Sequence, residues 1–286
     1  MKSERHRWLV ETEWLAQHLT SPDVVVIDAS WHMPATGRSG RAEYMEKRIP
    51  GAIFFDIDDI SDEKSSFPHM LPSTVKFSSR MRKLGIGDGA RIVVYDSVGL
   101  FSAPRVWWML RVMGKNDVAV LNGGLPKWLA EEREIEDGPP NKRPERHFTP
   151  RVNGELLRDR DDVAAALKSM SAQVIDARSA GRFEGREPEP RPGLRSGHMP
   201  GARNVPFTEL VAADGTLKSD DDLSRVFKGH SIDLSAPIIT SCGSGVTAAV
   251  DLLALAVLGH DRVALYDGSW SEWAADPEAP VATGQA

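Results

Sequence analysis

A single cysteine, Cys242, stands among 286 residues, within Ser241-Cys242-Gly243-Ser244-Gly245-Val246-Thr247-Ala248. The apolar, β-branched run Ala236-Pro237-Ile238-Ile239-Thr240 before it reads as a short buried strand. Val246 to Leu258 is almost continuously apolar and ends at Gly259, which predicts a buried helix of about 13 residues with a glycine stop. The cysteine thus falls on a tight turn between a strand end and a helix start. Gly243 and Gly245 let the backbone curl there so that successive N–H groups point inward. Such a nest, with the positive end of the helix dipole, favours an anion at the sulfur. Helix N-termini lower a cysteine pKa to roughly 3.5–7.5 from about 8.5. Lone cysteines are mostly small buried hydrophobes, but core packing needs no Gly-Ser-Gly cradle, so the expected species is a reactive thiolate.

The stretch Cys242-Gly243-Ser244-Gly245-Val246-Thr247-Ala248 resembles the active-site loop of the rhodanese-type sulfurtransferases, on the branch that takes 3-mercaptopyruvate. Thiosulfate-preferring relatives carry basic residues directly after the cysteine, where this chain has Gly243 and Ser244. The donor implied by the resemblance has a carboxylate and a keto oxygen, which the planar fork of arginine suits. Within the Gly/Pro-rich loop Ser179 to Gly193, the resemblance puts Arg182 and Arg191 at the two substrate-binding arginine positions. Arg186 and Arg195 match no such position and read as solvated.

The same resemblance places Asp58 and His69 in a Ser-His-Asp relay with Ser244, across the interface of two halves. The aspartate would orient the imidazole, and the imidazole would tune a hydroxyl beside the reacting sulfur. The implied reaction has two steps. The Cys242 thiolate takes sulfur from 3-mercaptopyruvate, releasing pyruvate as its enolate, and the persulfide rests among the N–H groups of Gly243, Ser244, Gly245, Val246 and Thr247. A thioredoxin-like or low-molecular-weight thiol, or cyanide, then removes the outer sulfur. No cofactor or metal enters. A cysteine phosphatase would need an arginine six residues after the cysteine, and position 248 is alanine. A non-catalytic binding module of the same fold is the alternative from another class.

The elements that must carry these residues are written twice. At a shift of about 148 residues, Val25-Val26-Ile27-Asp28-Ala29 matches Gln173-Val174-Ile175-Asp176-Ala177. Arg91 to Tyr95 matches Pro237 to Ser241, Val118 to Gly123 matches Val263 to Gly268, and Trp128 falls on Trp273. Apolar strands separated by helical patterns predict two tandem α/β domains of the rhodanese type, each a mostly parallel sheet flanked by helices. The expected bounds are 1–134, a proline-rich linker over 135–150, and a catalytic domain over 151–286. Asp96 stands where the second half has Cys242, and an aspartate carries no persulfide, so the first half is expected to be catalytically silent. Trp107, Trp108, Trp270 and Trp273 read as core, and Gly85-Ile86-Gly87-Asp88-Gly89 as a turn.

The totals agree with such an enzyme. A hydrophobic fraction of 41% and a charged fraction of 27% are ordinary for a globular chain, and 286 residues suffice for two cores. A net charge of −6 gives no reason to expect nucleic acid or an anionic membrane as partner. One cysteine excludes an internal disulfide and fits a reducing compartment. The eight histidines lack metal-ligand spacing, and the N-terminus shows no apolar signal-peptide core, so the expected location is the cytoplasm.

Overall fold

Runs of β-branched residues that are buried on both faces build parallel sheets, and each half of this chain supplies such runs. The computed structural model describes residues 3–285. In the first half the strands are β1 (Leu9–Val10), β2 (Val24–Asp28), β3 (Ile53–Phe54), β4 (Arg91–Tyr95) and β5 (Val118–Leu121). In the second they are β6 (Leu157–Arg158), β7 (Gln173–Asp176), β8 (Arg203–Asn204), β9 (Ile238–Ser241) and β10 (Val263–Tyr266). The strand orders, β1-β5-β4-β2-β3 and β6-β10-β9-β7-β8, are the same order repeated. All pairings within both sheets are parallel.

Register carries the repeat down to single residues. Asp28 pairs with Tyr95 on the central strands of the first sheet, and Asp176 pairs with Ser241 on those of the second. Asp96 and Cys242 therefore leave their sheets at the same point, the carboxyl end of a central strand, where open α/β sheets form their ligand crevices. The strand before Cys242 begins at Ile238, after the proline, and continues through Ser241. The helix after it begins at Ala248, two residues later than the apolar run suggests, because residues 243–247 turn instead of entering the helix. It ends as expected: Leu258 caps it and Gly259 follows with φ +81°.

One apolar cluster runs through both halves. The helix Ala103–Val112 packs on the helix Ala248–Val257, and Trp107, Trp108, Leu252, Leu253 and Leu255 are all fully buried. The outer faces of the two sheets carry separate clusters, with Trp128 in one and Trp270 and Trp273 in the other. Residues 137–153 hold no helix or strand, and most are exposed. Phe148 is the exception: it is buried edge-on against Phe77, which ties this connection to the first half. No helix among the described residues is long and apolar enough to cross a membrane.

Asp251 breaks the apolar pattern of the helix Ala248–Val257. It is fully buried and neither carboxylate oxygen has a hydrogen-bond partner. Burial, reinforced by the nearby negative charge of Cys242, pushes its carboxyl well above the ordinary range. An acid whose folded pKa is raised leaves stability intact below its unfolded value of about 3.9, and stability falls as pH rises from there toward the folded value. Asp251→Leu is therefore expected to stabilise the fold by about 1–3 kcal/mol at neutral pH. Thermal melts at pH 4 and pH 8 check this: the gain in Tm must be larger at pH 8.

Candidate active site

Cys242 is buried, 1% exposed, on the turn that follows β9. Its N–H donates to Ser269 Oγ at 3.2 Å, and its carbonyl accepts from Trp270 N at 3.0 Å. The Gly243 carbonyl accepts from both Ser271 N and Ser271 Oγ. The loop is thus pinned from outside by the residues after β10. Gly245 is at φ +74°, and a Cβ there would lie 2.7 Å from Arg105 Nη1, so only glycine fits. At Gly243 a Cβ would lie 3.0 Å from Arg182 Nη2 and 3.8 Å from Arg191 Nη1. Both predicted substrate arginines therefore crowd over the residue after the cysteine.

The first half shows what this loop geometry is built to hold. Asp96 Oδ1 accepts from Val98 N and Gly99 N at 2.9 and 2.8 Å. Its Oδ2 accepts from Phe101, Ser102 and Ala103 N at 2.8–2.9 Å. One buried carboxylate thus satisfies five backbone donors at the entrance to the helix Ala103–Val112. Among the described residues, the matching N–H groups of Ser244, Gly245 and Thr247 have no acceptor on the protein. The match is partial, since Ala249 N, the counterpart of Ala103 N, donates to the Val246 carbonyl, but three donors of the second loop are left for something other than a side chain.

The two arginines differ in their surroundings. Arg182, at the end of the short helix Ala180–Phe183, donates from Nε and Nη2 to Glu189 at 3.2 and 2.6 Å. Glu189 also accepts from Arg178 Nη1 at 2.7 Å, and Arg178 is held by Asp176 and lies over the Trp270 ring. Arg191 has no ion-pair partner among the described residues, and its Nη2 donates to Ser244 Oγ at 3.2 Å. Burial pushes its guanidinium down, and a negative charge on Cys242 pulls it back up. Cys242, both arginines and Ser244 line a cavity of about 170 Å³, rimmed by Trp31, Met33, Phe101 and Phe207 from both halves.

Asp58 and His69 lie on the first-half side of the cleft. His69 Nδ1 is 3.0 Å from Asp58 Oδ1, close enough for an ion pair but off the line of a straight hydrogen bond. Asp58 Oδ2 also accepts from Trp31 Nε1, and the Trp31 ring stands edge-on to His69. His69 lies at φ +63°, an uncommon conformation for a residue with a side chain. Burial pushes its imidazole below the usual histidine range, with Asp58 partly opposing, which favours the neutral ring at neutral pH. Its Nε2 is buried with no partner, and no hydrogen bond joins it to Ser244.

Sequence reasoning missed three residues that shape this site. Arg105, fully buried on the Ala103–Val112 helix, crosses between the halves to Asp267 Oδ1 at 2.7 Å. It also donates to the carbonyls of Gly245 and His69. Asp267 Oδ2 in turn accepts from Leu71 N at 2.7 Å. A lone arginine in the run Ala-Pro-Arg-Val-Trp-Trp was the available signal for the first of these. For Glu189 it was an acid set between two prolines beside Arg191. Arg186 pairs at the surface with Glu184, and Arg195 is half-buried against backbone carbonyls near Trp273.

This constellation, a buried cysteine in a carboxyl-end anion cradle at the junction of two equivalent parallel-sheet domains, defines a tandem α/β enzyme scaffold. The rhodanese-like domain family matches the chain twice, over residues 11–131 and 159–276, and the chain belongs to that family. It is 48% identical over 275 residues to the 3-mercaptopyruvate sulfurtransferase of Escherichia coli (strain K12), covering 96% of this chain and 97% of that protein. It is also 43% identical over 289 residues to the thiosulfate sulfurtransferase of Rattus norvegicus, covering 98% and 97%. The crystal structure of SseA from Escherichia coli superposes with a TM-score of 0.85 at 46% identity, covering 92% of this chain and 98% of that one.

Removing the Asp96 carboxylate leaves five backbone donors unsatisfied in a buried loop. Asp96→Ala is expected to cost about 3 kcal/mol or more of stability. Denaturant unfolding should show the loss, while mass spectrometry of the folded fraction should show Cys242 reacting with sulfur donors as in the wild type.

Proposed function

We propose that this protein transfers sulfur from 3-mercaptopyruvate, through a persulfide on Cys242, to a thiol acceptor, with release of pyruvate. The observation that carries this reading is the cradle beside Cys242: the amides of Ser244, Gly245 and Thr247 have no protein acceptor among the described residues, and two arginines stand directly over Gly243. The Cys242 thiolate attacks the donor sulfur, the S–S bond forms, and the C–S bond breaks toward the keto group. The electron pair moves onto the pyruvate enolate, which Arg182 and Arg191 stabilise before it takes up a proton. The outer sulfur of the persulfide, an anion, is received by the N–H groups of Gly243, Ser244, Gly245, Val246 and Thr247. The bonding of Asp96 to Val98, Gly99 and Phe101 N supports the part of that placement that falls on the matching Ser244, Gly245 and Thr247.

His69 would act as a neutral base. With Asp58 on Nδ1, its Nε2 lone pair is available to Ser244 once a donor draws the site together, since catalytic hydrogen bonds often tighten only on binding. The acceptor is a small thiol or a thioredoxin-like protein, and a reducing compartment such as the cytoplasm suits both acceptor and nucleophile. The first half, over 1–134, contributes no nucleophile of its own and joins through residues 135–150 to the catalytic half, 151–286. It supplies Asp58, His69 and Arg105.

Thiosulfate is the competing donor, as the name of the rat relative shows. Thiosulfate is a dianion, whereas Arg182 is already matched by Glu189 and only Arg191 stands without an ion-pair partner. The Cβ of any side chain at position 243 would also lie 3.0 Å from Arg182 Nη2 and crowd it. The site therefore favours a monoanionic donor.

Intact mass and steady-state kinetics with both donors test this. Wild type should gain one sulfur and release pyruvate with 3-mercaptopyruvate, at a kcat/KM at least about tenfold above that for thiosulfate. Cys242→Ser should gain none. A larger kcat/KM for thiosulfate would overturn the donor assignment, and no persulfide with either donor would overturn the enzyme.

A further inference from the structure

We propose that Glu189 is a positioning residue of this site, fixing the direction of Arg182 and cancelling its charge so that Arg191 is left as the cation, without a carboxylate partner among the described residues, that faces the donor. The inference rests on the donor reading above and extends it to a residue that never touches substrate.

The geometry is a ladder of alternating charge that starts in the sheet. Asp176 ends β7, paired in register with Ser241, the residue before the cysteine. Its carboxylate accepts from Arg178 Nη2 at 2.6 Å, and the same Arg178 nitrogen donates to the Gly197 carbonyl. Arg178 is fully buried and lies over the Trp270 ring, so it has no freedom to swing. Its Nη1 donates to Glu189 Oε1, and Glu189, with a side chain only 2% exposed, then takes Nε and Nη2 of Arg182. Pro188 and Pro190 flank Glu189 and restrict the backbone that presents it.

Each buried charge in this series has an opposite neighbour, the condition under which buried ions are tolerated. With Nε and Nη2 occupied, Arg182 is held over Gly243 with Nη1 as its unbonded nitrogen. Arg191 has a different environment: its side-chain bond goes to the neutral Ser244 hydroxyl, and the charges that favour its cation, Cys242 first and then Glu189 and Asp58, act on it without a direct ion pair. Apart from the Cys242 thiolate, Arg182, Glu189 and Arg191 carry one net positive charge between them, and it is Arg191 that faces the donor without an ion-pair partner among the described residues.

The test is a kinetic comparison of wild type, Glu189→Gln, Glu189→Asp, Arg182→Met and the Arg182→Met/Glu189→Gln double variant, with 3-mercaptopyruvate and thiosulfate. Glu189→Gln is expected to raise KM for 3-mercaptopyruvate about tenfold with kcat within about threefold, and to leave kcat/KM for thiosulfate unchanged or higher. In the Arg182→Met background the same change should have no further effect, because its route runs through Arg182. Glu189→Asp keeps the charge between the two arginines and so the fold, but withdraws the carboxylate by one methylene. It should shift KM in the same direction, and it decides the matter if the glutamine variant does not fold. Equal loss with both donors, an unchanged KM, or an additive effect on Arg182→Met overturns the proposal. Should wild type prove inert to 3-mercaptopyruvate, the donor assignment falls. The Kd of pyruvate, expected to rise about tenfold in Glu189→Gln, then still decides whether Glu189 orients the carboxylate anchor.

Discussion

Backbone amides at the mouth of a helix demand a negative charge, and both halves of this protein are arranged around that demand. A tight turn at the carboxyl end of a central strand gathers N–H groups that the helix cannot use. In the first half Asp96 answers with its own carboxylate. In the second the side chain at that position is a thiol, so the donors face whatever charge the sulfur acquires. The register of the two sheets, which brings Asp96 and Cys242 to equivalent points, makes the comparison direct.

Charge compensation then spreads from the cradle. Arg105 crosses the interface to Asp267 and to two carbonyls, one of Gly245 and one of His69. A single buried guanidinium therefore sets both the turn that carries the nucleophile and the segment that carries the imidazole. Removing one partner from a fully buried pair strands the other, so neither arm of the site can shift without the other responding. The shared apolar cluster behind it, from Trp107 to Leu255, keeps the two halves at fixed distance.

Much of this was legible in the chain. The strand–Cys242–helix unit, the doubled strand pattern and the Asp96 substitution follow from apolar runs and glycines whose physical consequences are local. Arg182 and Arg191 came from a resemblance, and the structure brings both over Gly243. What stayed hidden was long-range pairing. Nothing near Arg105 in sequence tells that it will meet Asp267 across the molecule, and Glu189 gains its meaning only when Arg178 and Arg182 fold around it. The helix after Cys242 starts later than its apolar run because residues 243–247 form a turn, which an apolar pattern does not record. The relay that the resemblance implied is not closed here: His69 Nε2 has no partner and Ser244 Oγ accepts from Arg191 instead, a choice set by contacts between halves that no local pattern records.

Duplication gives this fold a way around a common conflict. Active sites carry unsatisfied groups, and a domain holding them is less stable than it could be. Here the two demands are divided between copies of one loop. The Asp96 copy is saturated with internal hydrogen bonds and serves as a rigid buttress. The Cys242 copy leaves the amides of Ser244, Gly245 and Thr247 without an acceptor among the described residues and leans on that buttress through Arg105. One repeat closes its loop on itself and the other leaves it open, and because Arg105 ties the two together the closed copy can brace the open one.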